Sequence, residues 1–263
     1  MRHFLRNRCL TSFRTFPLAT CGRFCHAPGK EEAASDKEAA PQRSVPRRHR
    51  KLYNITVREE GEEALRDFLP EKPLLPPGWT LHHEAGQNKF ELRKRVEVRA
   101  CGVEQIHVIA LLERKKYEGT YRMDNGEREE QEYLNFVAFI EKESYPNGGL
   151  EFGLTSIDMD LVLDSLTLHP NKAQLEVARS SWFPTMGNKE KPLTTISAKR
   201  MRDNFYRGPM ISELDEDFSD EIFDYLDERG INNSFANFMM SQAYYLEQEE
   251  YLNWLRLLRR FAD

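Results

Sequence analysis

The chain has 263 residues, 40% apolar and 11% aromatic. That is enough for one large core or two small ones, and it excludes a disordered chain. The formal charge of -5 hides an asymmetry, because residues 1–50 hold 11 Lys and Arg against 4 Asp and Glu, leaving 27 against 39 in residues 51–263. The body is therefore acidic, at -12, and the N-terminal fifth is basic. No run approaches the roughly 18 apolar residues needed to cross a bilayer.

The first 27 residues contain Arg2, Arg6, Arg8, Arg14 and Arg23, several Ser and Thr, interspersed Phe4, Leu5, Leu10 and Phe13, and no acid. This composition is that of a mitochondrial transit peptide; a secretory signal would need an unbroken apolar stretch. The other reading is a basic nucleic-acid-binding arm, continued by Arg43, Arg47, Arg48 and Arg50. Residues 28–50 lack large apolar side chains and read as a linker, so residues 1–50 are expected to be transit peptide and linker, cleaved between about residues 23 and 50. Residues 51–263 are expected to fold as one domain. Cys9, Cys21 and Cys25 fall in the leader, which leaves Cys101 alone and no cysteine metal site or disulfide framework within a subunit.

A Glu-rich turn followed by Leu65, Phe68 and Leu69 predicts a short helix ending before Pro70. The prolines up to Gly78 break regular structure. From Trp79 to about Val177 the period becomes two: "FELRKRVEV", "IHVIALLE", "LNFVAFIEK" and "MDLVLDSLTLH" alternate, with turn signals at Ala85-Gly86, Asp124-Asn125-Gly126 and Pro146-Asn147-Gly148-Gly149. About seven consecutive strands on short turns make an antiparallel meander, since parallel strands need long crossovers. Residues 183–211 read as a loop carrying a basic patch, Lys199, Arg200, Arg202 and Arg207, either salt-bridged or in contact with nucleic acid.

Between Glu213 and Glu228 stand nine carboxylates and no Lys or Arg. Phe218, Ile222, Tyr225 and Leu226 share a helical face opposite Asp217, Asp220, Glu221, Asp224 and Asp227, with Ser212 and Asp215 as a capping box and Arg229-Gly230 as last-turn cation and terminator. The helix dipole accounts for acids at the start of this helix but not for Asp227 and Glu228 at its end. The run is either a solvated helix face or an electronegative surface for a basic partner. The final helix shows an apolar set at Phe235, Phe238 and Met239, then a wide one at Tyr251, Trp254, Leu255, Leu258 and Phe261, which is expected to pack on the N-terminal helix or another subunit.

The Glu-rich helix, Gly78-Trp79 entering a strand, the meander, "DYLDERGINNSFANF" and "QEEYLNWLRLLRRF" together resemble the mitochondrial acidic matrix protein (mitochondrial glycoprotein) family, which includes the complement-globular-head-binding protein; the resemblance covers roughly residues 55–263. It implies an α+β fold: a seven-stranded twisted antiparallel sheet flanked by one N-terminal and two C-terminal helices, assembled as a doughnut-shaped homotrimer, or a heterotrimer with a paralogue. It further implies a non-enzymatic, cofactor-free adaptor or chaperone of the mitochondrial matrix. Such a protein would bind basic ribosomal or RNA-binding proteins and support small-subunit ribosome assembly, translation or RNA processing, with RNA contact indirect. The expected protein-binding face is Asp217, Asp220, Glu221, Asp224, Asp227 and Glu228.

This sequence departs from the family in a short central loop, whose acids are Asp124, Glu127, Glu129, Glu130 and Glu132, and in its basic clusters. Arg93, Lys94, Arg95, Lys115 and Lys116, with Tyr117 and Tyr121, are the candidate contacts of the rival reading, a direct RNA-binding accessory factor in mitochondrial mRNA processing or editing. No RNP-type aromatic motif supports base stacking, and the acidic total opposes nonspecific phosphate binding. No Walker loop, GxGxxG or GxSxG is present, and His82, His83, His107 and His169 lack metal-site spacing and are expected to serve the strands and turns.

Overall fold

A computed structural model describes residues 50–66, 69–98, 102–122, 128–182 and 195–263. The expected leader, Cys101, Phe68 and the tip of the central loop, residues 123–127, lie outside the described residues. In the unit Arg47–Asp263, helix α1 (Arg50–Ala64) precedes a seven-stranded sheet: β1 (Trp79–His83), β2 (Lys89–Val98), β3 (Gly102–Leu111), β4 (Lys115–Arg122), β5 (Arg128–Lys142), β6 (Tyr145–Ile157) and β7 (Asp160–His169). Helices α2 (Lys172–Trp182), α3 (Thr195–Arg202), α4 (Glu216–Asp227) and α5 (Asn233–Ala262) follow.

All strand pairs are antiparallel, in the order β1-β2-β3-β5-β6-β7, with β4 paired to β5 beyond the end of β3. β5 is long because β3 pairs with its second half (Ala110↔Phe136) and β4 with its first (Lys115↔Tyr133). The alternation read in the sequence sends Phe90, Leu92, Ile106, Val108, Phe136, Phe152 and Leu154 to one face. There they meet Ile222 and Leu226 of α4 and Phe235, Met239 and Leu246 of α5. Trp79 enters from left-handed Gly78 (φ 78°) and packs on Phe235, with ring centroids 4.7 Å apart and the planes tilted by 31°. The opposite face, at Ile109, Val137 and Phe139, is covered by Leu175 and Ala178 of α2.

Three boundaries depart from expectation. The strands end at His169, and residues 172–182 are helical; Leu175 and Ala178 are three apart and close the second sheet face, a demand that a local period cannot reveal. Within the expected loop 183–211, residues 195–202 form α3, which packs on α2. Pro146 to Gly149 do not turn but lie inside β6, the turn falling at Glu143-Ser144. A Cβ on Gly148 would sit 2.1 Å from the His169 carbonyl oxygen, so this glycine is set by close strand approach.

The first helix also lies earlier than expected. It buries Thr56 and Glu63, whereas Leu65 falls past its end and is 82% exposed. It runs beside α5, where Glu63 accepts from Gln248 Nε2 at 3.0 Å and Glu60 meets Arg256 and Arg259. Polar pairing thus replaces the apolar stripe that the periodicity suggested.

Candidate functional site

The acidic segment is a helix, α4, and both ends are fastened. Its N-cap is Asp215 rather than Ser212: the Asp215 side chain accepts from the Asp217 N–H at 3.1 Å, and Glu216 and Asp217 occupy the first turn, where the dipole favours them. At the other end Gly230 is left-handed (φ 77°), the Ile231 N–H reaches the Leu226 carbonyl at 2.9 Å and the Gly230 N–H reaches that of Asp227 at 2.7 Å. These two bonds are those of a Schellman motif.

Ile222 and Leu226 are buried against the sheet, while Asp217, Asp220, Glu221, Asp224, Asp227 and Glu228 are all exposed. At 100° per residue these six acids fall within one continuous arc. Among the described residues only Glu228 has a salt bridge, to Arg229 at 3.3 Å, and Asp227 accepts from Asn232 Nδ2 at 2.7 Å. Those two contacts relieve the carboxylates that the dipole opposes. The other four face solvent unneutralised. Phe218, expected on the apolar side, is 52% exposed and stands at the edge of the acidic arc.

Arg229 is not a last-turn surface cation. Only 4% exposed, it donates through Nε and Nη2 to the two oxygens of fully buried Glu104 on β3, at 2.6 and 3.0 Å. Its Nη1 donates to the Tyr225 carbonyl at 2.6 Å, and its guanidinium covers the Tyr225 ring at 3.4 Å. Lys142 adds an ion pair to Glu104 at 3.1 Å and lies 4.8 Å from the Tyr225 ring centroid. Burial pushes the Glu104 carboxyl up, yet Arg229 and Lys142 together hold it below the usual range; Tyr225 is pushed up by burial. A desolvated network therefore pins α4 to β3 and β5 while its opposite side remains wet.

The basic clusters divide. Lys94 points to the helix side, where its Nζ donates to the Arg229 carbonyl at 2.8 Å, and burial lowers its pKa. Arg93 and Arg95 point to the other side and stand beside Glu91 (3.2 Å) and Glu97 (3.9 Å). Lys115 and Lys116 are exposed on β4, away from that trio in the sheet order. In the expected basic patch, Arg202 pairs with Glu151 and Arg207 with Asp203, while Lys199 and Arg200 are exposed.

The histidines serve the sheet. His83 pairs with Glu250, His107 with Glu91 at 3.0 Å, and buried His169 with Glu151 at 2.8 Å. Among the described residues no three His, Cys, Asp or Glu side chains are grouped to hold a metal, and no helix is long and apolar enough to cross a membrane. At the C-terminus the aromatic set splits: Leu255 is buried and Tyr251 and Leu258 are half-buried, but Trp254 is 55% and Phe261 80% exposed.

A family model described as mitochondrial glycoprotein, MAM33, matches residues 53–262. The chain belongs to that family. One curated relative is the mitochondrial acidic protein mam33 of Schizosaccharomyces pombe, 37% identical over 67 residues, which are 26% of this chain and 25% of the yeast protein. Among solved structures, the Trypanosoma brucei p22 protein is similar with a TM-score of 0.62 and 22% identity, covering 82% of this chain and 98% of that one. A Leishmania major protein described as a sequence homologue of human p32 gives a TM-score of 0.61 at 23% identity, covering 82% and 99%. These two likenesses confirm the fold, a seven-stranded antiparallel sheet with flanking helices; α2 and α3 stand beyond the three helices expected from the sequence.

Proposed function

We propose that this member of the mitochondrial acidic protein family is a non-enzymatic adaptor of the mitochondrial matrix that captures basic proteins, and that through them it supports small ribosomal subunit assembly, translation or RNA processing. The observation that carries the reading is the contrast on α4: one side is locked to the sheet by Glu104, Arg229 and Lys142, and the other presents Asp217, Asp220, Glu221 and Asp224 without a cation among the described residues. A rigidly held row of unpaired carboxylates attracts cationic partners at long range and needs no reordering when they arrive.

Self-assembly strengthens the field. Exposed Trp254 and Phe261 give α5 an apolar edge suited to a second copy, and three bodies at -12 each would sum to about -36. The RNA-contact reading has weaker support, because Lys94 is turned inward and Arg93 and Arg95 stand beside carboxylates.

The test is affinity purification of the tagged chain from mitochondria, with and without nuclease, followed by mass spectrometry. Basic ribosomal or assembly proteins retained after nuclease are the expected result. Their loss together with the RNA would sink the adaptor reading and favour the basic strand clusters.

A further inference from the structure

Beside the acidic helix, on the same face of the sheet, lies a small apolar slot of about 230 Å³, lined by Ile140, Lys142, Tyr145, Gly149, Leu150 and Leu168. Its wall is a row in register across three strands, Ile140↔Leu150↔Leu168. Ile140 is buried, but Leu168 is 57% and Tyr145 42% exposed, so the row runs out of the core into solvent. A slot of this size is below the range of small-molecule and cofactor pockets, about 300–1,000 Å³, and suits a side chain or two.

Lys142 joins the slot to the helix. It lines the slot, yet its ammonium is engaged by Glu104 and by the ring of Tyr225, which is on α4. The slot therefore offers no free cation, and the nearest helix offers carboxylates at Glu221, Asp224 and Glu228, one turn or less from Tyr225. An apolar recess joined through Lys142 to a helix that carries exposed carboxylates is complementary to a segment that alternates apolar and cationic side chains, and those carboxylates repel phosphates.

We propose that the slot and the acidic side of α4 form one docking surface for a short basic segment of a partner protein, in which a leucine or phenylalanine enters between Leu168 and Tyr145 while neighbouring arginines meet the α4 carboxylates. This rests on the adaptor reading and adds its selectivity: charge brings basic proteins in, and the slot selects those with an apolar anchor among their cations. Such an anchor acts after encounter, on the dissociation rate, whereas rim charges act on association.

The experiment titrates the full chain with three labelled probes: a dodecapeptide of alternating leucine and arginine, a dodecapeptide of alternating glycine and arginine with the same charge, and a 12-nucleotide single-stranded RNA. The wild-type chain is expected to bind the leucine peptide on the order of tenfold more tightly than the glycine peptide. Leu168→Ser, and independently Tyr145→Ala, should bring that ratio close to one while leaving the glycine peptide unchanged. Asp220→Asn with Asp224→Asn should weaken both peptides and steepen neither preference.

Retention of the tenfold preference in both slot variants overturns the docking surface, as does RNA binding that outcompetes both peptides and is lost in the slot variants. A change of oligomeric mass in Leu168→Ser also overturns it, since a second copy would then occupy the slot. If neither peptide binds the wild-type chain at low salt, it is the adaptor reading that fails, a result distinct from loss of the preference alone.

Discussion

Arg229 donates to both oxygens of Glu104 across 125 residues of sequence, at 2.6 and 3.0 Å, and both side chains are almost or fully removed from water. Burying such a pair costs desolvation that a good geometry offsets, but leaving one charge behind is worse than removing both. Arg229→Ala should therefore destabilise the fold by about 3–5 kcal/mol, read as a lower urea midpoint. Arg229→Met combined with Glu104→Leu and Lys142→Met, which removes all three charges, should recover most of the loss. A triple variant no better than the single would mean that shape around Tyr225, not charge, holds the helix.

This network and the separate Glu91–His107 pair predict an acid limb. Glu104 is held below the ordinary carboxylate value by Arg229 and Lys142 against the opposing effect of burial, and Glu91 is lowered chiefly by its hydrogen bond from His107, with Lys89 adding to it. Both carboxyls are thus ionised in the native state at a pH where the unfolded chain takes up protons. Their contribution is fully present above the unfolded glutamate value of about 4.3 and is lost as pH falls through the depressed native values. Unfolding free energy measured between pH 7 and 5 should vary little on their account and should fall below about pH 4. Glu104→Gln should flatten that limb in part; an unaltered limb would rule Glu104 out as a source and leave Glu91.

The exposed acids should behave in the opposite way. Asp220→Asn, Glu221→Gln and Asp224→Asn together remove three charges that pair with no cation among the described residues, so the fold should change by no more than about 0.5 kcal/mol, or gain from reduced repulsion. On the proposed adaptor reading, binding of a basic protein should weaken, and its salt dependence should become shallower. Asp227 is a poor choice for this set, because its side chain accepts from Asn232 at 2.7 Å and its loss would mix capping with charge.

How much of this was legible in the chain depends on range. The meander, the acidic helix and the glycine at its end follow from periodicity and turn chemistry within a few residues, and Gly230 at φ 77° is where the sequence places it. Arg229 looked like a last-turn cation because its destination, Glu104, lies on another element. Gly148 and Gly149 looked like a turn because crowding by the His169 and Ile140 carbonyls is a property of the paired strands, not of the tetrapeptide. The reverse case is Asp158-Met159, which makes the β6–β7 turn at φ 50° and 68° without a glycine to signal it. Of the site, the acidic arc was readable, whereas the slot at Ile140, Leu150 and Leu168 comes from three strands aligned in space.

The last helix tests whether the described body is complete by itself. Leu255 is 2% exposed and Trp254, its neighbour, 55%, so the two residues separate internal packing from a surface that a second copy would cover. Leu255→Ala should cost about 2–5 kcal/mol through the cavity left by a side chain only 2% exposed, visible as a lower thermal midpoint. Trp254→Ala removes a ring that lies 6.2 Å from Tyr251 but is largely wet, so the loss for the isolated subunit should be small. If copies meet along α5, Trp254→Ala together with Phe261→Ser should lower the mass seen by light scattering while the far-ultraviolet spectrum stays native. An unchanged mass would remove α5 from the assembly and leave its aromatic edge free for some other partner.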